Sequence, residues 1–173
     1  MSKTTLKKHL ISLTKEHIIE MIIGLYETSK PAKEYFEYYI NPDEKGQFEK
    51  FKVLVVSEFY PVRLFAFPKM RFSVAKTAIA EFRSLSPSPE LLGDLMITLP
   101  EMACKFTSKY GGMSGQYYNS AANNFELALK YLQKHDLLAQ FQDRCEECVK
   151  YAEPCGYGFA DEIEDLYNEY YDE

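Results

Sequence analysis

The chain has 173 residues, 46% hydrophobic and 27% charged, a globular composition with length enough for a substantial core. Its formal net charge of -6 argues against a general nucleic-acid coat but leaves room for a local basic site. No apolar run approaches the ~20 residues that span a bilayer, and MSKTTLKKHL lacks the apolar segment of a signal peptide. These features predict a cytoplasmic protein, with no membrane partner and four reduced cysteines.

Residues 4–27 read as helix, break, helix. Leu6, Leu10 and Leu13 mark the first apolar face; Thr14 is placed to cap a second helix with Ile18, Ile19, Ile22, Ile23 and Tyr26 on one side. Such a pair resembles small nucleic-acid-binding motifs, but any two packed helices share the pattern. Pro31 opens a third segment, PAKEYFEYYI, and Asn41-Pro42-Asp43 reads as a turn. The run QFEKFKVLVVSEFYP is ambiguous. Phe48, Phe51, Val55 and Phe59 have helical spacing, whereas Val53-Leu54-Val55-Val56 has the β-branched bias of a strand that VRLFAF (62–67) could pair with. The spread of Glu49, Lys50, Lys52 and Glu58 favours a helix followed by a loop.

The stretch 69–106 predicts a helical hairpin. Val74 or Ala75, Ala78, Ile79, Phe82 and Leu85 form one stripe, with Ser73 as expected N-cap. Ser86-Pro87-Ser88-Pro89 stops that helix and starts the next, Ser88 at the cap and Pro89 in the first turn. The second stripe runs Leu92, Leu95, Met96, Leu99, Met102, Ala103 and Phe106. Pro100 interrupts it, and the capping-box spacing of Thr98 and Glu101 allows either two helices meeting at Leu99 or one kinked helix. Lys109-Tyr110-Gly111-Gly112 is a break. Residues 114–134 then give the clearest single helix, its stripe being Tyr118, Ala121, Ala122, Phe125, Ala128, Leu129 and Leu132. Asp136 is the expected cap of a helix carrying Leu138, Phe141, Cys145, Cys148, Val149 and Ala152. The tail 159–173 has seven acids and neither lysine nor arginine. Phe159, Ile163, Leu166 or Tyr167, and Tyr170 keep helical spacing, so it reads as an acidic helix or a disordered end.

Several of these segments, LKKHLISLTKEHIIEMIIGLY, KEYFEYYINP, EFYP, RFSVAKTAI, SPSPELLGDLM, YYNSAANNFELALKYL and LLAQFQDR, resemble a bacterial domain-of-unknown-function family numbered six-one-five-five. The resemblance covers about residues 5 to 150 and leaves the acidic tail outside. It implies an all-helical fold and no activity, because the family has no assigned substrate or catalytic residues.

Candidate sites are few. Cys145 and Cys148, with Cys155 beyond and Cys104 or His135 elsewhere, are the only metal candidates. The first two share a helical stripe with Phe141 and Val149, which favours core packing. Ser73-Val-Ala-Lys76 matches an acyl-serine S-x-x-K, but S-D-N and K-T-G companions are absent. His9, His17 and His135 are scattered. Arg63, Lys69, Arg71, Lys76 and Arg83, opposed by Glu81 alone, surround the expected helix start at Ser73. That pattern suits an anion or nucleic-acid site, with Phe65, Phe67 and Phe72 interleaved for stacking. Docking of the acidic tail there, or plain solvation, explains the same charges.

The reading is an all-α fold: a single domain of consecutive antiparallel helix pairs, as a bundle or short superhelical array, with a helical domain at 1–155 and an acidic helix or tail at 156–173. No cofactor is called for. The expected role is non-catalytic binding of a protein partner. One rival is a phosphate or nucleic-acid binder using Arg63, Lys69, Arg71, Ser73 and Lys76. Another is an enzyme built from Tyr117, Asn119, Asn123 or Asn124 facing Arg71.

Overall fold

The computed structural model describes residues 2–63 and 65–171, and among these every regular element is an α-helix. The chain gathers into two compact units, one ending at Asp43 and the other beginning at Glu44. The second unit continues through position 155, where the sequence reading divides the chain.

The first unit holds α1 (Lys3–Ile11), α2 (Lys15–Thr28) and α3 (Lys30–Ile40), with α2 packed on α3. Each start has its own hydroxyl cap: Ser2 accepts from the Thr5 N–H, Thr14 from His17, and Ser29 from Ala32 with Pro31 in the first turn. Local signals therefore define the helices well. Packing does not follow, because none of the residues in these three helices is buried. Ile19, Ile22 and Ile23, expected on a covered face, are exposed.

The second unit holds α4 (Glu44–Ser57), α5 (Phe72–Ser84), α6 (Pro89–Tyr110), α7 (Gly115–Lys134), α8 (Leu138–Ala152) and α9 (Phe159–Tyr171). Helix α6 is its axis: α4, α5, α7 and α8 all pack against it, and α9 lies on α7 and α8. The ambiguous run 47–61 resolves as helix α4 and the start of a loop. Its β-branched stretch divides by face, with Val55 fully buried and Val53 exposed.

Two expected caps change, and the open choice at Pro100 is settled as one helix. Helix α5 begins at Phe72 with Arg71 as N-cap, so Ser73 sits inside the first turn rather than capping it. Helix α6 runs unbroken through Pro100, and the Thr98–Glu101 capping box does not form: the Thr98 hydroxyl donates to the Asp94 carbonyl (2.7 Å), while Glu101 binds Arg144. Packing on all sides outweighs the backbone bond that proline removes. Asp136 does not cap α8. It adopts a left-handed conformation (φ 57°) that closes α7, with the Leu137 N–H returning to the Leu132 carbonyl and the Asp136 N–H to that of Gln133. This is a Schellman closure, with aspartate where glycine is usual.

Two further contacts fix α6. Arg144 of α8 reaches across to Asp94 (2.7 Å), Glu101 and the Thr98 hydroxyl (3.0 Å), and Lys52 of α4 joins at Asp94 (3.1 Å). Gly93 provides the close approach of α6 to the α7–α8 corner: a Cβ there would lie 2.9 Å from Leu132 Cδ2 and 3.6 Å from Leu137 Cδ1. Gly24 of α2, by contrast, has nothing within 4 Å of its absent Cβ. Gly93→Leu should therefore lower Tm by more than ~5 °C through overpacking. Gly24→Ala should leave Tm unchanged or raise it, since alanine favours a helix by up to ~1 kcal/mol. Thermal melts followed by circular dichroism separate the two outcomes.

Candidate functional site

The basic segment is organised by Glu58, at the C-terminal end of α4. Its backbone carbonyl accepts from the N–H groups of Lys69 (3.0 Å) and Met70 (2.8 Å). Its carboxylate accepts from the Arg71 backbone N–H (3.1 Å), Nε (3.0 Å) and Nη2 (2.7 Å). A carboxylate thus caps the positive end of α5, in place of the serine that the sequence suggests. The Glu58 side chain is only 7% exposed. Hydrogen bonds from Arg71 hold its carboxyl below the usual carboxylate range, against the opposing effect of burial.

Because Arg71 is engaged by an internal anion, the five basic-site candidates separate. Lys69, Ser73 and Lys76 line one groove of about 450 Å³, together with Ser114, Gln116 and Ser120 from the start of α7. Arg63 is exposed in the loop before Lys69 and does not line that groove. The interleaved aromatics separate too. Phe72 packs edge-on against Phe59 (5.6 Å between centroids) and Tyr117 (5.2 Å), whereas Phe65 and Phe67 are 92% and 86% exposed.

The enzyme constellation does not assemble around Arg71. The Tyr117 hydroxyl donates to the Ala103 carbonyl (2.9 Å) and Asn124 to the Ser120 carbonyl (2.6 Å), while Asn119 and Asn123 are exposed. Ser73 and Lys76 share the groove wall, but among the described residues no hydrogen bond joins them. Cys104, Cys145 and Cys148 are buried and Cys155 half-buried, all as free thiols. Burial pushes the Cys145 thiol up to about 11 and Cys148 well above its ordinary value. A metal ligand must be a thiolate, which this setting disfavours. Among the described residues no group of three or more His, Cys, Asp or Glu side chains is placed to hold a metal ion. His135 lies against the Tyr131 ring in a tilted arrangement, 4.4 Å between centroids.

A second concave surface lies in the first unit, between α2 and α3. Ile22, Ile23, Tyr26, Phe36 and Ile40 line a groove of about 350 Å³, and the Tyr26 hydroxyl donates to Glu37 (3.1 Å) within it. The sequence reading places Ile22, Ile23 and Tyr26 on the apolar face of one of two packed helices. The signal for exposure is the width of the stripe: Met21 and Leu25 extend it beyond what two short neighbours can cover.

The family of unknown function DUF6155 matches residues 1–170. The chain belongs to that family. The match extends past the 5–150 of the sequence reading and takes in nearly all of the acidic helix α9. No curated protein and no solved structure matches the chain. No helix among the described residues of this DUF6155 protein is long and apolar enough to cross a membrane.

Two outcomes follow from this geometry. Glu58→Gln should lower Tm by about 5 °C, the effect of weakening several charge-assisted hydrogen bonds at a buried acceptor. Because the folded-state pKa of Glu58 is depressed, its contribution is present above the unfolded carboxylate range and is lost as pH falls through the folded value. The variant should accordingly show a shallower loss of Tm than the parent below about pH 4.5. Separately, a thiol reagent at pH 7 should leave Cys104, Cys145 and Cys148 unmodified in the folded protein and label all four cysteines in denaturant. Labelling of Cys148 at the rate of a free thiol would contradict the burial described.

Proposed function

We propose that this DUF6155 protein is a non-catalytic, cytoplasmic interaction module whose N-terminal unit receives an amphipathic helix of a partner protein. The supporting observation is the α2–α3 groove, apolar along Ile22, Ile23, Phe36 and Ile40, on helices that also expose Ile19 and Tyr39. A helix-in-groove contact uses this arrangement: an apolar trough, with a few polar groups such as Glu37 and Asn41 to set register. The unit carries six lysines against six acids, so its summed charge neither attracts nor repels a partner and apolar complementarity governs the contact.

The test is cross-linking and co-purification of the native protein from its own cells, followed by titration of the recovered partner in purified form. The double variant Ile22→Asp/Ile40→Asp should weaken saturable binding at least tenfold while leaving the second unit's melting transition in place. Light scattering on the purified protein distinguishes a second copy as the occupant. A protein recovered alone and monomeric, or a partner whose affinity ignores the double variant, overturns the proposal.

A further inference from the structure

The groove holding Lys69, Ser73 and Lys76 does not end at Lys76. A smaller groove of about 180 Å³ continues along α5 and α7, lined by the same Lys76 together with Arg83, Met96 and Asn124. The two grooves share one ammonium and contain three cations and, among the described residues, no aspartate or glutamate. In a chain of net charge -6, an acid-free trough of this kind is a local inversion of sign.

The cations are also available. Lys69 and Lys76 are exposed, and among the described residues neither forms an ion pair. Arg83 donates to the Met96 thioether (3.1 Å) rather than to a carboxylate. Glu58, whose charge reaches Lys69, is itself bound by Arg71. The remaining polar wall consists of neutral hydroxyls and amides: Ser73, Ser114, Gln116, Ser120 and Asn124. Such groups bind phosphate oxygens without adding repulsion.

Spacing decides the kind of anion. Lys76 and Arg83 stand seven residues apart on one helix, about 10 Å along its axis, and Lys69 extends the row beyond the helix start. A single phosphate engages only part of a row of that length, whereas a chain of phosphates meets each cation along it. The trough's two aromatic side chains, Phe72 and Tyr117, pack edge-on against each other (5.2 Å between centroids), Phe72 also against Phe59 (5.6 Å), and the Tyr117 hydroxyl is bound to Ala103, so neither ring is free to stack a base. Recognition therefore rests on phosphates and not on bases.

We infer that the α5–α7 trough binds a linear chain of phosphate groups through Lys69, Lys76 and Arg83. This site is separate from the α2–α3 groove and does not depend on the reading given for it.

Fluorescence anisotropy with a labelled 12-mer oligo(dT), competed by inorganic polyphosphate, and direct calorimetry with polyphosphate alone, test the inference. Polyphosphate should bind saturably at low salt, with log K falling against log salt with a slope of about -2, as three cation–phosphate contacts on a flexible chain require. Lys76→Glu should weaken binding at least tenfold, and Lys76→Gln should reduce the slope by about 0.7. Arg63→Glu, outside the trough, should change affinity by less than twofold; equal melting temperatures verify that all variants are folded. If the oligonucleotide binds and polyphosphate displaces it, the phosphates are the shared recognition element and a nucleic-acid backbone is one source. The inference fails if polyphosphate does not bind at low salt, if Arg63→Glu and Lys76→Glu act alike, or if oligonucleotide binding depends on base and resists polyphosphate.

Discussion

Helix α6 is the constraint on which the second unit depends. Twelve of its 22 residues are buried, and they occupy nearly the whole circumference rather than a single stripe. A helix apolar on all sides is stable only when surrounded, so α4, α5, α7 and α8 must each present an apolar face to it. This explains why Pro100 is tolerated and why Gly93 stands where α7 turns into α8. Asp94, Thr98 and Glu101 lie on successive turns, and Arg144 answers all three. Such a half-buried network would be destabilising if broken, because each charge is desolvated in expectation of the others.

The helical architecture was legible because it rests on periodicity. The stripes of α5, α6, α7 and α8 include Ala78, Phe82, Leu95, Leu99, Phe125, Leu129 and Cys148, all of which are buried. One cap was legible from its own residue: the Thr14 hydroxyl caps α2 as read. Caps were illegible where the group comes from elsewhere. Glu58 lies 13 residues before the N–H it serves, and no local rule points to it. Asp136 misled for a related reason: a short polar side chain suits both a helix start and a left-handed helix end, and only the position of Leu132 relative to Leu137 decides between them.

For the functional surfaces, sequence reasoning located the basic segment but not its membership. Five charged or polar residues close in sequence separate in space, because Arg71 turns to an internal carboxylate and Arg63 stays in the loop. The trough keeps Arg83, already part of the basic cluster as read, and gains Ser114 and Ser120 from the start of α7, which sequence distance had kept apart. The first unit shows the converse. Its isoleucines read as the apolar face of a packed helix pair, and only the absence of buried residues in α1, α2 and α3 marks them as surface.

The double grip of Glu58 on residues 69–71 has one more consequence. By holding the two ends of the 59–70 excursion together through carbonyl and carboxylate alike, it pins the loop at its base. Lengthening a loop whose ends are already pinned changes closure entropy only logarithmically, by about 0.6 kcal/mol per doubling. The tip beside Phe65 is therefore the natural place to splice in an epitope or a fluorophore-bearing peptide without disturbing the body of the protein.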